Sequence, residues 1–68
     1  MAYYYVNKNA QANGDHEVHR DTCKYLPAEP NRIYLGSFDN CADAVTAAER
    51  HYSQVNGCAT CSPECHTQ

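Results

Sequence analysis

Only eight residues of 68 are Leu, Ile, Val or Phe: Val6, Val18, Leu26, Ile33, Leu35, Phe38, Val45 and Val55. Folded domains ordinarily carry more than about a fifth of such residues, and chains below that level with high net charge remain disordered. A chain this short also buries a smaller fraction of its surface than a larger domain does. Two features oppose disorder. Six tyrosines (Tyr3, Tyr4, Tyr5, Tyr25, Tyr34, Tyr52) supply large rings to bury, and a net charge of −3 repels weakly. A folded chain closed by a staple satisfies both observations. A structural zinc site contributes roughly 10–16 kcal/mol in peptide models, as much as the net stability of a whole domain.

The staple is to be sought among five cysteines, Cys23, Cys41, Cys58, Cys61 and Cys65. The N-terminal residues MAYYYVNKNAQ have no basic region followed by an apolar run, and no stretch approaches the roughly 20 apolar residues of a membrane span. The expected location is the cytoplasm. Thiols stay reduced there, so clustered cysteines point to metal or catalysis before disulfides. Their odd number points the same way. One domain is expected over 1–68, with 62–68 as a flexible tail.

AYYYVN at 2–7 is aromatic and β-branched and reads as a strand; Asn13-Gly14 marks a turn, and HEVHR at 16–20 reads as a second strand. Pro27 and Pro30 make the next segment irregular, and RIYLGSF at 32–38 reads as a third strand with Ile33 and Leu35 on one face. A helix is predicted across NCADAVTAAERHYSQV, capped by Ser37 or Asp39 and stopped at Asn56-Gly57. Within it Cys41, Val45, Ala48, Tyr52 and Val55, spaced 4, 3, 4, 3, form an apolar stripe in which Cys41 is a small, reduced core residue. The predicted fold is α+β, a small antiparallel sheet of two or three strands packed on one long helix.

Cys58-Ala59-Thr60-Cys61 is a C-x2-C pair, whose two sulfurs reach one tetrahedral ion through a tight turn. It needs two further donors, and His19-Arg20-Asp21-Thr22-Cys23 offers them as H-x3-C. The predicted metal ligands are therefore His19, Cys23, Cys58 and Cys61, with zinc as the cofactor. Cys65 or His66 could take the place of His19, because a regular strand with Val18 inward turns His19 to the other face. Redox use of C-x2-C is the alternative; it gains from a helix N-terminus, whereas Cys58 is expected to follow a helix C-terminus. No catalytic residue is expected. His16-Glu17-Val18-His19 misses the H-E-x-x-H zinc-protease motif because Arg20 stands where the second histidine belongs.

V-H-R-D-T-C at 18–23, N-R-I-Y-L-G-S-F at 31–38, Ala42-Asp43-Ala44-Val45 and C-A-T-C at 58–61, in this order, resemble the metal-binding N-terminal domain of the Ada DNA-repair protein and its small relatives. By position, His19 and Cys23 match that family's first ligand pair and Cys58 and Cys61 its second, which implies an Ada-like fold holding zinc. In Ada-type repair a ligand cysteine accepts a methyl group from a DNA phosphotriester. If the first ligand position holds that role, His19 cannot perform it.

Eight acidic residues outnumber five basic ones, and Lys8, Arg20, Lys24, Arg32 and Arg50 form no stripe. Nucleic acid is therefore not an expected partner. The expected function is a non-catalytic structural zinc module presenting a surface, such as the Tyr-rich strand, to another protein. On this reading Cys23→Ala should loosen the domain far more than Cys65→Ala.

Overall fold

The computed structural model describes residues 1–67; residue 68, the last of the expected tail, lies outside them. Four strands and one helix are formed: β1 (Ala2–Asn7), β2 (His16–Arg20), β3 (Arg32–Phe38), α1 (Cys41–Ala48) and β4 (Val55–Gly57). Single 3-10 turns occupy Glu29–Asn31 and Pro63–Cys65. The sheet order is β3-β1-β2-β4. Strand β1 pairs antiparallel with β2 and with β3, while β4 runs parallel to β2. The α+β class is as read from the sequence. The sheet is mixed and has a fourth strand, where two or three antiparallel strands were expected.

That extra strand comes from the predicted helix. Asn40, not Ser37 or Asp39, caps α1, its Oδ1 accepting the Asp43 backbone N–H at 2.9 Å. The helix then closes after eight residues at Ala48 instead of running to residue 55. Tyr52 leaves the helical path and stacks on His16, ring centroids 3.7 Å apart, and the next residues pair with β2 as His16–Val55, Glu17–Asn56 and Val18–Gly57. Helical propensity over 49–55 loses to a strand edge. Without β4 the outer groups of β2 would lack partners, and unpaired backbone is costly wherever it is buried. Tyr52 and Val55 still reach the core from outside the helix, so the 4, 3, 4, 3 spacing marked burial and misreported conformation.

Alternation puts Tyr4, Val6 and Val18 on one sheet face, where they bury against Cys41, Ala44 and Ala48. In β3 a bulge intervenes: Tyr4 lies opposite Gly36 but Tyr5 opposite Tyr34, which leaves Leu35 unpaired. Gly36 adopts φ +127°, a backbone angle L side chains rarely take. The bulge reverses the parity of the strand, and Ile33, Leu35 and Phe38 all pack toward the helix. The opposite face carries an aromatic group, with Tyr34 5.3 Å from Tyr5 and 6.3 Å from Tyr3, and Arg32 4.6 Å above the Tyr5 ring. Tyr3 and Tyr34 are each 54% exposed.

Residues 62–67, expected as part of a tail, are held in place. Cys65 is joined to Cys41 by a disulfide, and the Thr67 backbone N–H donates to Asn56 Oδ1 at 3.0 Å. Cys41 is buried as predicted, but it is a cross-link and not a free thiol. The helix spacing placed it in the core; nothing in that spacing placed Cys65 beside it.

Candidate metal centre

His19 follows Val18 on a regular β2, so its ring lies on the face away from α1, and no bulge is needed. It is nonetheless 1% exposed, because the segments after β2 and β4 close over it. The first begins as a turn in which the Cys23 N–H donates to the Arg20 carbonyl at 3.0 Å, returning Cys23 toward the strand it has just left. In the second, Cys58 donates its N–H to Val18 O at 3.0 Å, extending the β2–β4 ladder, and Ser62 N–H closes a turn onto Cys58 O at 2.8 Å. That turn carries Cys58 and Cys61 across the end of β2.

The donor atoms of His19, Cys23, Cys58 and Cys61 all lie within 4.8 Å of one another, and the four could hold a metal ion. Cys23 Sγ is 3.9 Å from Cys58 Sγ, and Cys61 Sγ is 4.0 Å from His19 Nδ1. Cys23 and Cys58 are buried; Cys61 is the most accessible of the four and borders a cavity of about 220 Å³ lined also by Tyr4, Arg20 and Asn40. The Arg20 N–H points at Cys61 Sγ from 3.3 Å, a donor suited to offsetting negative charge on that sulfur. Three cysteines and one histidine form a donor set typical of structural zinc sites.

The two alternatives for His19 are engaged elsewhere. Cys65 is in the disulfide, and His66 Nδ1 donates to the Gly57 carbonyl at 2.9 Å. One supporting residue was not anticipated. Glu17, two positions before His19 on the same strand face, sets Oε1 3.5 Å from His19 Nε2. A carboxylate there favours a proton on Nε2 and leaves Nδ1 bare toward the thiols, the usual arrangement around a metal-bound histidine. The period-two spacing of Glu17 and His19 was the available signal.

The helix-dipole argument against redox chemistry does not apply, since Cys58 follows a strand. Burial supplies a different one. It pushes the Cys61 thiol up to about 12, against which the Arg20 N–H works in the opposite direction. Without a cation this thiol is protonated at neutral pH, the reverse of an activated nucleophile.

Burial likewise lowers the pKa of His19, outweighing the raising effect of Glu17. A histidine depressed in the folded state binds more protons when unfolded, so stability rises with pH up to the ordinary value of 6.5 and falls as pH drops below it. In the metal-free protein, acidification from pH 7 to 5 is expected to lower the melting temperature, and His19→Gln should flatten that part of the profile. An unchanged slope in the variant would assign the acid sensitivity elsewhere.

Gly57 controls how closely the last turn packs. A Cβ there would sit 2.7 Å from Cys65 Cβ and 2.9 Å from the Cys65 carbonyl carbon. Gly57→Ala must displace backbone, and a cost of about 1–3 kcal/mol is expected, read as a lower denaturation midpoint in urea.

No family model, curated protein or solved structure matches the chain. Among the described residues no helix is long and apolar enough to cross a membrane.

Proposed function

We propose that the protein is a small, non-catalytic zinc module in which His19, Cys23, Cys58 and Cys61 ligate one Zn²⁺. The observation that carries this reading is the convergence of four soft or borderline donors, from segments 35 or more residues apart in sequence, onto a volume the size of one coordination sphere. Tetrahedral zinc with bonds of about 2.3 Å to sulfur and 2.05 Å to nitrogen sets S–S edges near 3.8 Å and S–N edges near 3.6 Å. The Cys23–Cys58 and His19–Cys61 pairs, at 3.9 Å and 4.0 Å, need only small inward movements, and no pair of the four donors is more than 4.8 Å apart. With four protein donors the sphere is closed, and no position is left for substrate.

Native mass spectrometry is the direct test. One zinc per chain is expected, absent from Cys58→Ser/Cys61→Ser; a wild-type chain that takes up no zinc at neutral pH defeats the reading. Glu17→Gln is expected to keep the fold and weaken zinc about 10–100-fold, the range seen when outer partners of metal-bound histidines are removed. An unaltered affinity would mean that Glu17 does not orient the ring.

The partner surface proposed is the exposed face of Tyr3, Tyr5 and Tyr34 with Arg32, whose occupant is another protein; the scattered basic residues favour nucleic acid less. Kinship with the Ada-type domain is supported by the joining of its H-x3-C and C-x2-C positions in space, and methyl transfer is disfavoured by His19 at the first of them. The competing reading, a thiol-redox protein using Cys58, Cys61 and Cys65, is weakened by the raised pKa of the half-buried Cys61 and by the pairing of Cys65 with Cys41. The cytoplasm is the proposed location.

A further inference from the structure

We propose that the Cys41–Cys65 disulfide sets the metal affinity of the His19/Cys23/Cys58/Cys61 cluster, making it a redox-tuned site, tight when the disulfide is closed and weak when it is open. The inference rests on the metal reading above.

The two halves of the cluster are anchored differently. His19 and Cys23 belong to β2 and the turn that follows it, inside the sheet. Cys58 and Cys61 ride on a loop that leaves β4 and returns on itself. Ser62 N–H donates to Cys58 O at 2.8 Å, Cys65 N–H to Ser62 O at 3.0 Å, His66 Nδ1 to Gly57 O at 2.9 Å and Thr67 N–H to Asn56 Oδ1 at 3.0 Å. These bonds make the segment one unit, which the Cys58 N–H to Val18 O bond at 3.0 Å and the Arg20 N–H to Cys61 Sγ contact at 3.3 Å also tie to β2. The disulfide is the covalent tie, joining the last turn of that unit to the first residue of α1. Cys65 packs so close to Gly57, the residue immediately before Cys58, that no side chain would fit there without displacement. Cys65 is not one of the four donors, so reduction leaves the ligand set intact and changes only how firmly half of it is held. Disulfides in a reducing cytoplasm are chiefly transient or redox-sensing, which is the role assigned here.

A cellular dithiol accounts for the switch. Its thiolate attacks one sulfur, the Cys41–Cys65 bond breaks as a mixed disulfide forms, and its second thiol displaces the protein sulfur. Two electrons pass to the protein, Cys41 and Cys65 each gain a proton, and the dithiol leaves as its own disulfide. Linkage makes the effect reciprocal: if closing the disulfide tightens metal binding tenfold, metal makes the disulfide tenfold harder to reduce, a fall of about 30 mV in its potential.

The test measures zinc affinity by competition with a chromophoric chelator for the oxidised protein, the same protein reduced with a phosphine, and Cys41→Ala/Cys65→Ala. Affinity at least about tenfold weaker is expected in the last two, within the range that supporting contacts confer on metal sites. The disulfide potential, measured at clamped free zinc, should be about 30 mV lower with metal than without, for a tenfold effect. Should the double variant be unfolded without zinc, its titration followed by circular dichroism gives the same comparison, because folding and binding are then one equilibrium. Equal zinc affinities in folded oxidised and reduced protein overturn the coupling and leave the metal site standing. Absence of zinc binding in every form overturns both.

Discussion

Stripping the metal with a chelator is expected to lower the melting temperature of the domain by more than about 20 °C, and in Cys23→Ala the same loss is expected with zinc present. Domains of this size shift roughly 4–8 °C per kcal/mol, so this asks for only about 3–5 kcal/mol of the roughly 10–16 a structural zinc site can supply. The reason lies in the core. Its fully buried large side chains are His19, Val6, Val18 and Ser62, two of them polar. On the face away from α1, His19, Cys23 and Cys58 are buried, and on the proposed reading a bound zinc ion would cross-link their two segments. Zinc-loaded and zinc-stripped protein melting within 5 °C of each other would show that the sheet and helix hold without it, and the proposed role would fail.

Cys41→Ala and Cys65→Ala are each expected to cost about 3.5 kcal/mol, because their bond spans 24 residues and its loss returns that loop's freedom to the unfolded chain. At 4–8 °C per kcal/mol this is a fall of roughly 14–28 °C in melting temperature under oxidising conditions. The double variant should lose no more than either single one, since all three break the same bond. Additive losses would mean the two cysteines act separately and the cross-link is not formed. This replaces the expectation that Cys23→Ala loosens the domain far more than Cys65→Ala: removing Cys65 and removing Cys23 become comparable injuries, told apart by whether a reductant abolishes the difference from wild type.

The His19, Cys23, Cys58 and Cys61 cluster was legible because its spacings are local. Cys58 and Cys61 must meet, being three residues apart on a turn, and H-x3-C after a strand offers the same reach. What spacing could not decide was whether His19, Cys65 or His66 completes the set. Three-dimensional pairing separates the three: Cys65 meets Cys41, His66 meets the Gly57 carbonyl, and His19 faces the thiols. The helix misreading has a parallel cause. Apolar residues at positions 52 and 55 satisfy a helical period, yet the same residues reach the same core when the chain stacks Tyr52 on His16 and lays Val55 beside β2. Only the unpaired edge of β2 distinguishes the two, and an edge exists only after the other strands have assembled.

Residue order alone therefore specified the need for a staple, the two short segments able to supply it, and the α+β class, since each follows from composition or from contacts a few positions apart. The folded chain settled the parallel fourth strand, the Cys41–Cys65 bond and the directions in which His16, His19 and His66 point. Those depend on groups brought together from up to about 40 positions away, and a distance in space between such groups is not encoded in any local pattern.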